Sequence, residues 1–292
     1  MNTSNTTHPP GAVPSRPSVA DKRRRFRALH EHGCFAIPNP WDLGSALLLQ
    51  SLGFKALATT SAGFAWAQGR ADNRITRDMA LQHLHEMVAA TDLPINADFE
   101  NGFAADARGV GENVRLAVQT GVAGLSIEDS VNPGDGSTQS LFALDDAIAR
   151  LRAARQAIDA TGGDTLLVAR CECFLTGQSD IDLAVTRLKA YANAGADCLY
   201  APGVRTREHI LALVQALAPK PLNVVISWPA DFTMADLAAW GVRRVSVGGG
   251  LARAAWAGLV RAAQPLADQG SFAGFADITP SASINQLFHD RS

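Results

Sequence analysis

One local pattern recurs along this chain and limits its fold more than any other. A helical apolar stretch ends in Gly, an apolar residue follows, and a short β-rich run begins within a few residues. Leu52-Gly53-Phe54 precedes a run at 56–61, and Thr120-Gly121-Val122 one at 124–129. Ala194-Gly195-Ala196 precedes 198–202, and Trp240-Gly241-Val242 precedes 244–248. Gly just past a helix takes the left-handed conformation without steric penalty, and the next apolar residue packs back on the last turn. Repeated helix–Gly–strand units imply parallel strands joined by helical crossovers. Four further β-rich runs, at 35–38, 95–100, 166–172 and 222–227, bring the strand count to eight. Amphipathic helices are expected over 143–160 and 181–194, where apolar residues recur at three and four. The fold expected is an α/β (β/α)8 TIM barrel with an extra helix over 22–32 before the first strand. An open, doubly wound sheet is the alternative.

At 292 residues and 47% hydrophobic content, the chain suits one barrel of about 250 residues. The expected division is a disordered tail over 1–20, the barrel over 21–265 and a C-terminal helical extension over 266–292. The tail is rich in Thr, Ser, Asn and Pro and lacks the charged start and apolar block of a secretory signal. Formal net charge is −2, with no basic stripe, so no nucleic-acid partner is expected. No apolar run approaches the roughly 18 residues of a membrane helix. Cys34, Cys171, Cys173 and Cys198 form neither a disulfide framework nor a zinc pattern, and a cytoplasmic location is the expectation.

Barrels of this class carry their chemistry at the C-terminal ends of the strands. Asn39, Trp41 and Asp42 follow the first run, and Thr60, Ser61 and Gly63 the second. Asp98 and Glu100 close the third, Glu128 and Asp129 the fourth, Arg170 and Glu172 the fifth. Asp98 and Glu100, two apart, face the same side, and Glu128 reaches the same rim. Carboxylates crowded on one cavity repel unless protons or a cation neutralise them. Oxygen ligands without His or Cys suit Mg²⁺, or Mn²⁺. Arg170 follows an apolar run and needs an anionic partner, either these carboxylates or a substrate group. Small residues at 59–63 and Gly248-Gly249-Gly250 allow close approach of an anion or simply a tight turn. No histidine is a convincing base: His83 and His85 do not share a helix face. The run Lys22-Arg23-Arg24-Arg25 reads as a solvated helix face.

Taken in order, Pro38-Asn39-Pro40-Trp41-Asp42, Thr60-Ser61-Ala62-Gly63, Asp72, Asp98-Phe99-Glu100-Asn101-Gly102, Ile127-Glu128-Asp129, Ala169-Arg170 and Val245-Ser246-Val247-Gly248 form a pattern. With it the chain resembles the isocitrate lyase/phosphoenolpyruvate mutase superfamily over roughly residues 25–265. The resemblance implies that Asp98 is the direct Mg²⁺ ligand, with Glu100 and Glu128 as further acidic residues of the metal site. It implies that Asp72 lies on a mobile loop, 69–74, that closes over the site. Thr60, Ser61, Ala62 and Gly63 would bind the substrate carboxylate, and Arg170 would orient substrate and neutralise developing charge. It further implies a small 2-oxo or 2-hydroxy carboxylate substrate, a pyruvate-type enolate, and a homotetramer whose last helices are exchanged between barrels.

The residues that select the reaction differ from the family's. The Cys-bearing lyase segment after the fourth strand is replaced by Asp129-Ser130-Val131-Asn132-Pro133-Gly134-Asp135-Gly136, which also lacks the mutase Lys. The usual Arg-Thr-Asp-Ala is Arg170-Cys171-Glu172-Cys173, and Pro202 stands where lyases have Glu and mutases His. The function expected is a Mg²⁺-dependent carbon–carbon lyase or decarboxylase. The alternatives are P–C chemistry on a phosphonopyruvate-like substrate and a non-catalytic barrel that binds an oxo acid.

Overall fold

The computed structural model describes residues 16–131 and 139–289. Helix α1 (Val19–Leu29) precedes strand β1 (Phe35–Ile37), followed by α2 (Leu43–Ser51), β2 (Leu57–Ala58), α3 (Ser61–Ala67), α4 (Arg77–Ala90), β3 (Ile95–Asp98), α5 (Ala107–Gln119) and β4 (Gly124–Glu128). A short hairpin, β5 (Ser130–Val131) and β6 (Ser140–Leu141), leads to α6 (Leu144–Ala160), β7 (Leu166–Arg170), α7 (Ile181–Asn193), β8 (Cys198–Tyr200), α8 (Arg207–Leu217) and β9 (Leu222–Val225). The chain ends with α9 (Met234–Ala239), β10 (Arg244–Ser246), α10 (Gly250–Gln269) and α11 (Ser281–His289).

Eight parallel strands pair in the order β1-β10-β9-β8-β7-β4-β3-β2. The two end strands meet where the Ala58 N–H donates to the Pro38 carbonyl at 3.1 Å, so the sheet curls into a nearly closed (β/α)8 barrel rather than an open sheet. Each expected glycine junction is present, with Gly53, Gly121, Gly195 and Gly241 all at positive φ.

The strands are shorter than their apolar runs. The second ends at Ala58, because Thr60 is the N-cap of α3 and Ser61 begins that helix. The third ends at Asp98: Glu100 takes a left-handed φ of 46°, which turns the chain away while its carbonyl still accepts the Glu128 N–H.

The extra helix begins at Val19, with Ser18 as its capping residue, and Arg16 reaches Asp92. The part of the expected tail at 1–15 lies outside the described residues. Only half of the basic run on this helix is the solvated face expected: Arg24 and Arg25 are exposed, and Lys22 and Arg23 are not. Lys22 is buried and donates to the Val88 and Thr91 carbonyls, and Arg23 donates to those of Val118 and Val122. These cations satisfy carbonyl groups at the C-terminal ends of α4 and α5, where the helix dipole favours positive charge.

Phe26, from the same helix, plugs the N-terminal end of the barrel among Phe35, Ile37, Ala56, Ala58, Ala123 and Leu166. A Cβ at Gly124 would sit 2.6 Å from the Phe26 ring, so glycine at the start of β4 makes room for the plug.

Helix α10 runs through the boundary expected at 265 and exposes Trp256, Leu259 and Val260; Phe272, Ile278 and Ile284 beyond it are exposed too. Among the described residues no helix is long and apolar enough to cross a membrane.

Candidate active site

Alternation along each strand decides which acids enter the barrel. On β3, β4 and β7 the even-numbered residues Asn96, Asp98, Ser126, Glu128, Val168 and Arg170 point inward, and odd-numbered Ala97, Ile127 and Ala169 join the core against the helices. Asp129, expected at the rim with Glu128, therefore faces outward. It is buried, accepting from the Glu172 N–H at 2.8 Å, the Arg187 Nε at 2.7 Å and the Tyr191 hydroxyl, and so ties β4 to β7 and α7. Cys171 and Cys173 lie in the same outer layer.

At the C-terminal end a cavity of about 220 Å³ opens. Thr60, Ser61, Ala62, Asp72, Asp98 and Arg170 line it, while Gly63, Glu100 and Glu128 do not. Asp98 is held from two sides. Its Oδ2 accepts from the Ser61 N–H at 3.0 Å and the Ser61 hydroxyl at 2.9 Å, and its own N–H donates to Thr59 Oγ1. The Gly63 N–H is taken by the Thr60 cap at 3.2 Å. A Cβ at Gly63 would lie 2.7 Å from Thr60 and 3.0 Å from Trp41, so this glycine serves close packing of α3 rather than an anion. Asn39 is likewise structural, donating to the Thr59 carbonyl and accepting from the Val247 and Gly248 amides.

Arg170 is the hub. Its Nη1 lies 3.4 Å from Asp98 and 3.3 Å from Glu128, and its Nε donates to Glu172. The register places Glu128, Arg170 and Tyr200 side by side on β4, β7 and β8, with the guanidinium 5.4 Å from the Tyr200 ring centroid. One cation thus serves three carboxylates, and charge counting leaves the cluster negative if all are ionised. Burial pushes Glu172 up to about 8, the nearby Glu128 adding to the effect against the opposing pull of Arg170. Burial likewise raises Glu128. Glu100 goes to about 9, through burial first and then Glu128, Asp98 and Asp72. Asp72 reaches solvent, yet desolvation at the rim and the Asp98 charge raise it as well.

Glu100 is 9% exposed and its Oε1 has no hydrogen-bond partner among the described residues. A buried, unsatisfied carboxylate oxygen behind a carboxylate-lined cavity is where a hydrated cation, or a proton, relieves the cost. Among the described residues no three acidic, imidazole or thiol groups converge tightly enough to cage an ion. The donor set therefore fits a hard cation that touches one carboxylate directly and reaches the others through water, as Mg²⁺ commonly does.

Of the floor and far wall of the cavity, only Tyr200, at the end of the sixth β-rich run, and Ser246, within the Val245-Ser246-Val247-Gly248 motif, were marked in the sequence. Asn96, Ser126, Tyr200, Arg205, Trp228, Arg244 and Ser246 line them. Inward parity on β10 could also have pointed to Arg244. Arg205 and Trp228, stacked at 4.8 Å, come from loops with no periodic signal. His83 is buried under Phe64 with ring centroids 3.9 Å apart; burial lowers it to about 4. The expected reaction-selecting segment at 132–136 lies outside the described residues.

A family profile described as phosphoenolpyruvate phosphomutase matches residues 26–267. An oxaloacetate decarboxylase of Chromohalobacter salexigens is 33% identical over 240 residues, 78% of this chain and 79% of that protein. A 2-methylisocitrate lyase of Escherichia coli is 30% identical over 190 residues, 63% of this chain and 62% of the relative. A crystal structure from Burkholderia cenocepacia, described only as a lyase or mutase, superposes with a TM-score of 0.88 at 44% identity, covering 92% of this chain and 97% of the other.

Proposed function

The chain belongs to the isocitrate lyase/phosphoenolpyruvate mutase superfamily, and from that membership we propose that it is a Mg²⁺-dependent carbon–carbon lyase, specifically a decarboxylase of a small 2-oxo dicarboxylate of the oxaloacetate class. The observation that carries the reading is the imbalance at the cavity: Asp98, Glu100, Glu128 and Glu172 gather around one guanidinium, Arg170. Such a cluster calls for a cation of higher charge. The relatives named as oxaloacetate decarboxylases and the absence of the lyase Cys segment favour decarboxylation over aldol-type cleavage.

Asp98, fixed by Ser61 and Thr59, would be the direct ligand, with Glu100 and Glu128 acting through water. The bound cation stabilises charge that develops on the substrate's oxo and carboxylate oxygens. Ser61 and Ala62 meet the substrate carboxylate, with Thr60 setting the turn that presents them. Arg170, oriented by Glu172, turns its Nη1 edge to the substrate and neutralises charge as the C–C bond electrons pass into the enolate. Asp72 arrives with the 69–74 loop, which excludes water when closed. The exposed apolar side chains of α10 fit the exchange of terminal helices expected in a homotetramer.

The decisive assay is pyruvate formation from oxaloacetate with Mg²⁺, corrected for the metal-only rate. Asp98→Ala should lower turnover by about 10³-fold, the scale of losing a main electrostatic element, with the circular-dichroism spectrum unchanged. No pyruvate from the intact enzyme ends the decarboxylase reading. Phosphate release from phosphonopyruvate would select P–C chemistry, and a thermal shift with oxo acids but no turnover would select a binding barrel.

A further inference from the structure

Decarboxylation leaves an enolate carbon that must receive a proton, and the family's usual donor segment is replaced in this chain. No thiol or imidazole lines the cavity among the described residues. Tyr200 does line it, on β8 beside Arg170. Its surroundings have a definite hydrogen-bond direction.

The chain of bonds starts at Arg244, buried at 2% exposure and without a carboxylate partner among the described residues. Arg has donors only, so its Nε–H donates to Asn223 Oδ1 at 2.8 Å, and its Nη1 lies 3.3 Å from Asn96 Oδ1. That fixes the Asn223 amide, whose Nδ2 donates to Ser246 Oγ at 3.1 Å. Ser246, having accepted, has its single proton left to give, and Tyr200, which lines the same cavity, is the acidic side chain whose ionised form it favours. The donors in the sequence Arg244–Asn223–Ser246 thus run one way, toward the cavity wall that Ser246 shares with Tyr200. Register agrees, since Tyr200 pairs with Asn223 on β9 and Asn223 with Arg244 on β10.

Resting on the decarboxylase reading, we propose that Tyr200 is the proton donor of this site, with Ser246, Asn223 and Arg244 as its positioning residues. When the substrate C–C bond breaks, its electron pair enters the enolate and carbon dioxide leaves. The Tyr200 O–H bond then breaks, its proton forms the new C–H bond of pyruvate, and the phenolate is left on the enzyme. That phenolate accepts the Ser246 hydroxyl and lies near two guanidinium groups, Arg170 and Arg244; Glu172 and Asp98 are the opposing charges that face it. Water entering the open cavity returns the proton. Burial, in the first place, pushes the phenol up to about 12, so Tyr200 holds its proton at neutral pH until the enolate forms. Asp72, the other titratable candidate, sits on the exposed loop at the rim.

The test separates bond cleavage from proton transfer. The full chain is incubated with Mg²⁺, and carbon dioxide release from oxaloacetate is recorded beside hydrogen–deuterium exchange at the pyruvate methyl group by NMR in D₂O. Oxalate, a planar dianion that resembles the enolate carboxylate, reports binding by thermal shift. Tyr200→Phe should lower exchange by at least about 100-fold, the usual scale of a general acid, while oxalate affinity changes less than threefold. Ser246→Ala should lower exchange about tenfold at unchanged oxalate affinity, and it answers the question should Tyr200→Phe fail to fold. Exchange at the unmodified rate in Tyr200→Phe, or abolished by Asp72→Asn and not by Tyr200→Phe, overturns the assignment while leaving the decarboxylase intact. An unmodified protein that neither releases carbon dioxide nor exchanges overturns both.

Discussion

The two ends of the barrel are built from the same eight strands and solve opposite problems. At the N-terminal end the inward positions are Phe35, Ala56 and Leu166, closed by Phe26 from α1, and the space is filled with carbon. At the C-terminal end the inward positions are Asp98, Glu128, Arg170 and Tyr200 around a cavity, with Arg170 four residues beyond Leu166 on β7. Apolar closure stabilises the barrel through burial and packing. The charged end sets carboxylates against one another and leaves the Glu100 Oε1 without a hydrogen-bond partner among the described residues, a local instability that a ligand can relieve. Stability and function are thus divided along the strand direction.

The largest effect should come from opening the closed end. Phe26→Ala removes a fully buried ring and should lower unfolding stability by about 3–5 kcal/mol, read by urea denaturation. Turnover per folded molecule should stay within twofold of the parent. A large loss of turnover in the folded fraction would break the division of labour.

The ends should also fail at opposite pH. Glu100 and Glu172 are raised, to about 9 and about 8, above their unfolded values. The native state therefore holds protons that the unfolded chain has lost, and stability falls as pH rises from about 5 through those values. The slope is about 1.4 kcal/mol per pH unit for each group. Denaturation of the metal-free protein across pH 6–9 should show this decline, and Glu100→Gln should flatten it. A profile flat over that range in the parent would mean that the mouth carries no such strain.

Smaller, and of opposite sign, is the response of the closed end. His30 packs edge-on between Phe26 and Phe35, donating Nδ1–H to the Phe26 carbonyl at 2.8 Å, and burial holds it near 3. Its neutral form is native, so its contribution is present above the unfolded value near 6.5 and is lost as pH falls toward 3. Exchanging it for Gln should reduce the acid-side loss between pH 6 and 4 by about 2.5 kcal/mol. An unaltered acid limb would remove His30 from the account.

Much of the fold was legible because its signals are local. The Gly53, Gly121, Gly195 and Gly241 junctions each mark a helix end that faces a following strand, whatever lies elsewhere in the chain. Asp98, Arg170, Ser61 and Asp72 were found from strand-end position and motif order, and they do share one cavity. Asp129 was misplaced because position at a strand end does not state parity, and one residue separates the barrel interior from the helix layer. Lys22 and Arg23 were misread because their partners are carbonyls some 66 to 99 residues away. Asn223 and Arg244 carry no motif, and the Val245-Ser246-Val247-Gly248 motif that holds Ser246 does not state its partners; only the stagger of β8, β9 and β10 brings these residues together.

By itself the amino-acid sequence determined the alternation of helix and parallel strand, the end of the barrel that carries the acids, and the family. Those follow from periodicity, glycine conformation and motif order, which act over a few residues. The tertiary structure alone decided which acids face one another, that Arg170 is shared among three of them, and in which direction the hydrogen bonds from Arg244 to Ser246 run. The reason is physical: charge–charge energies and donor direction depend on distances between residues far apart in sequence, and those distances exist only once the barrel has closed.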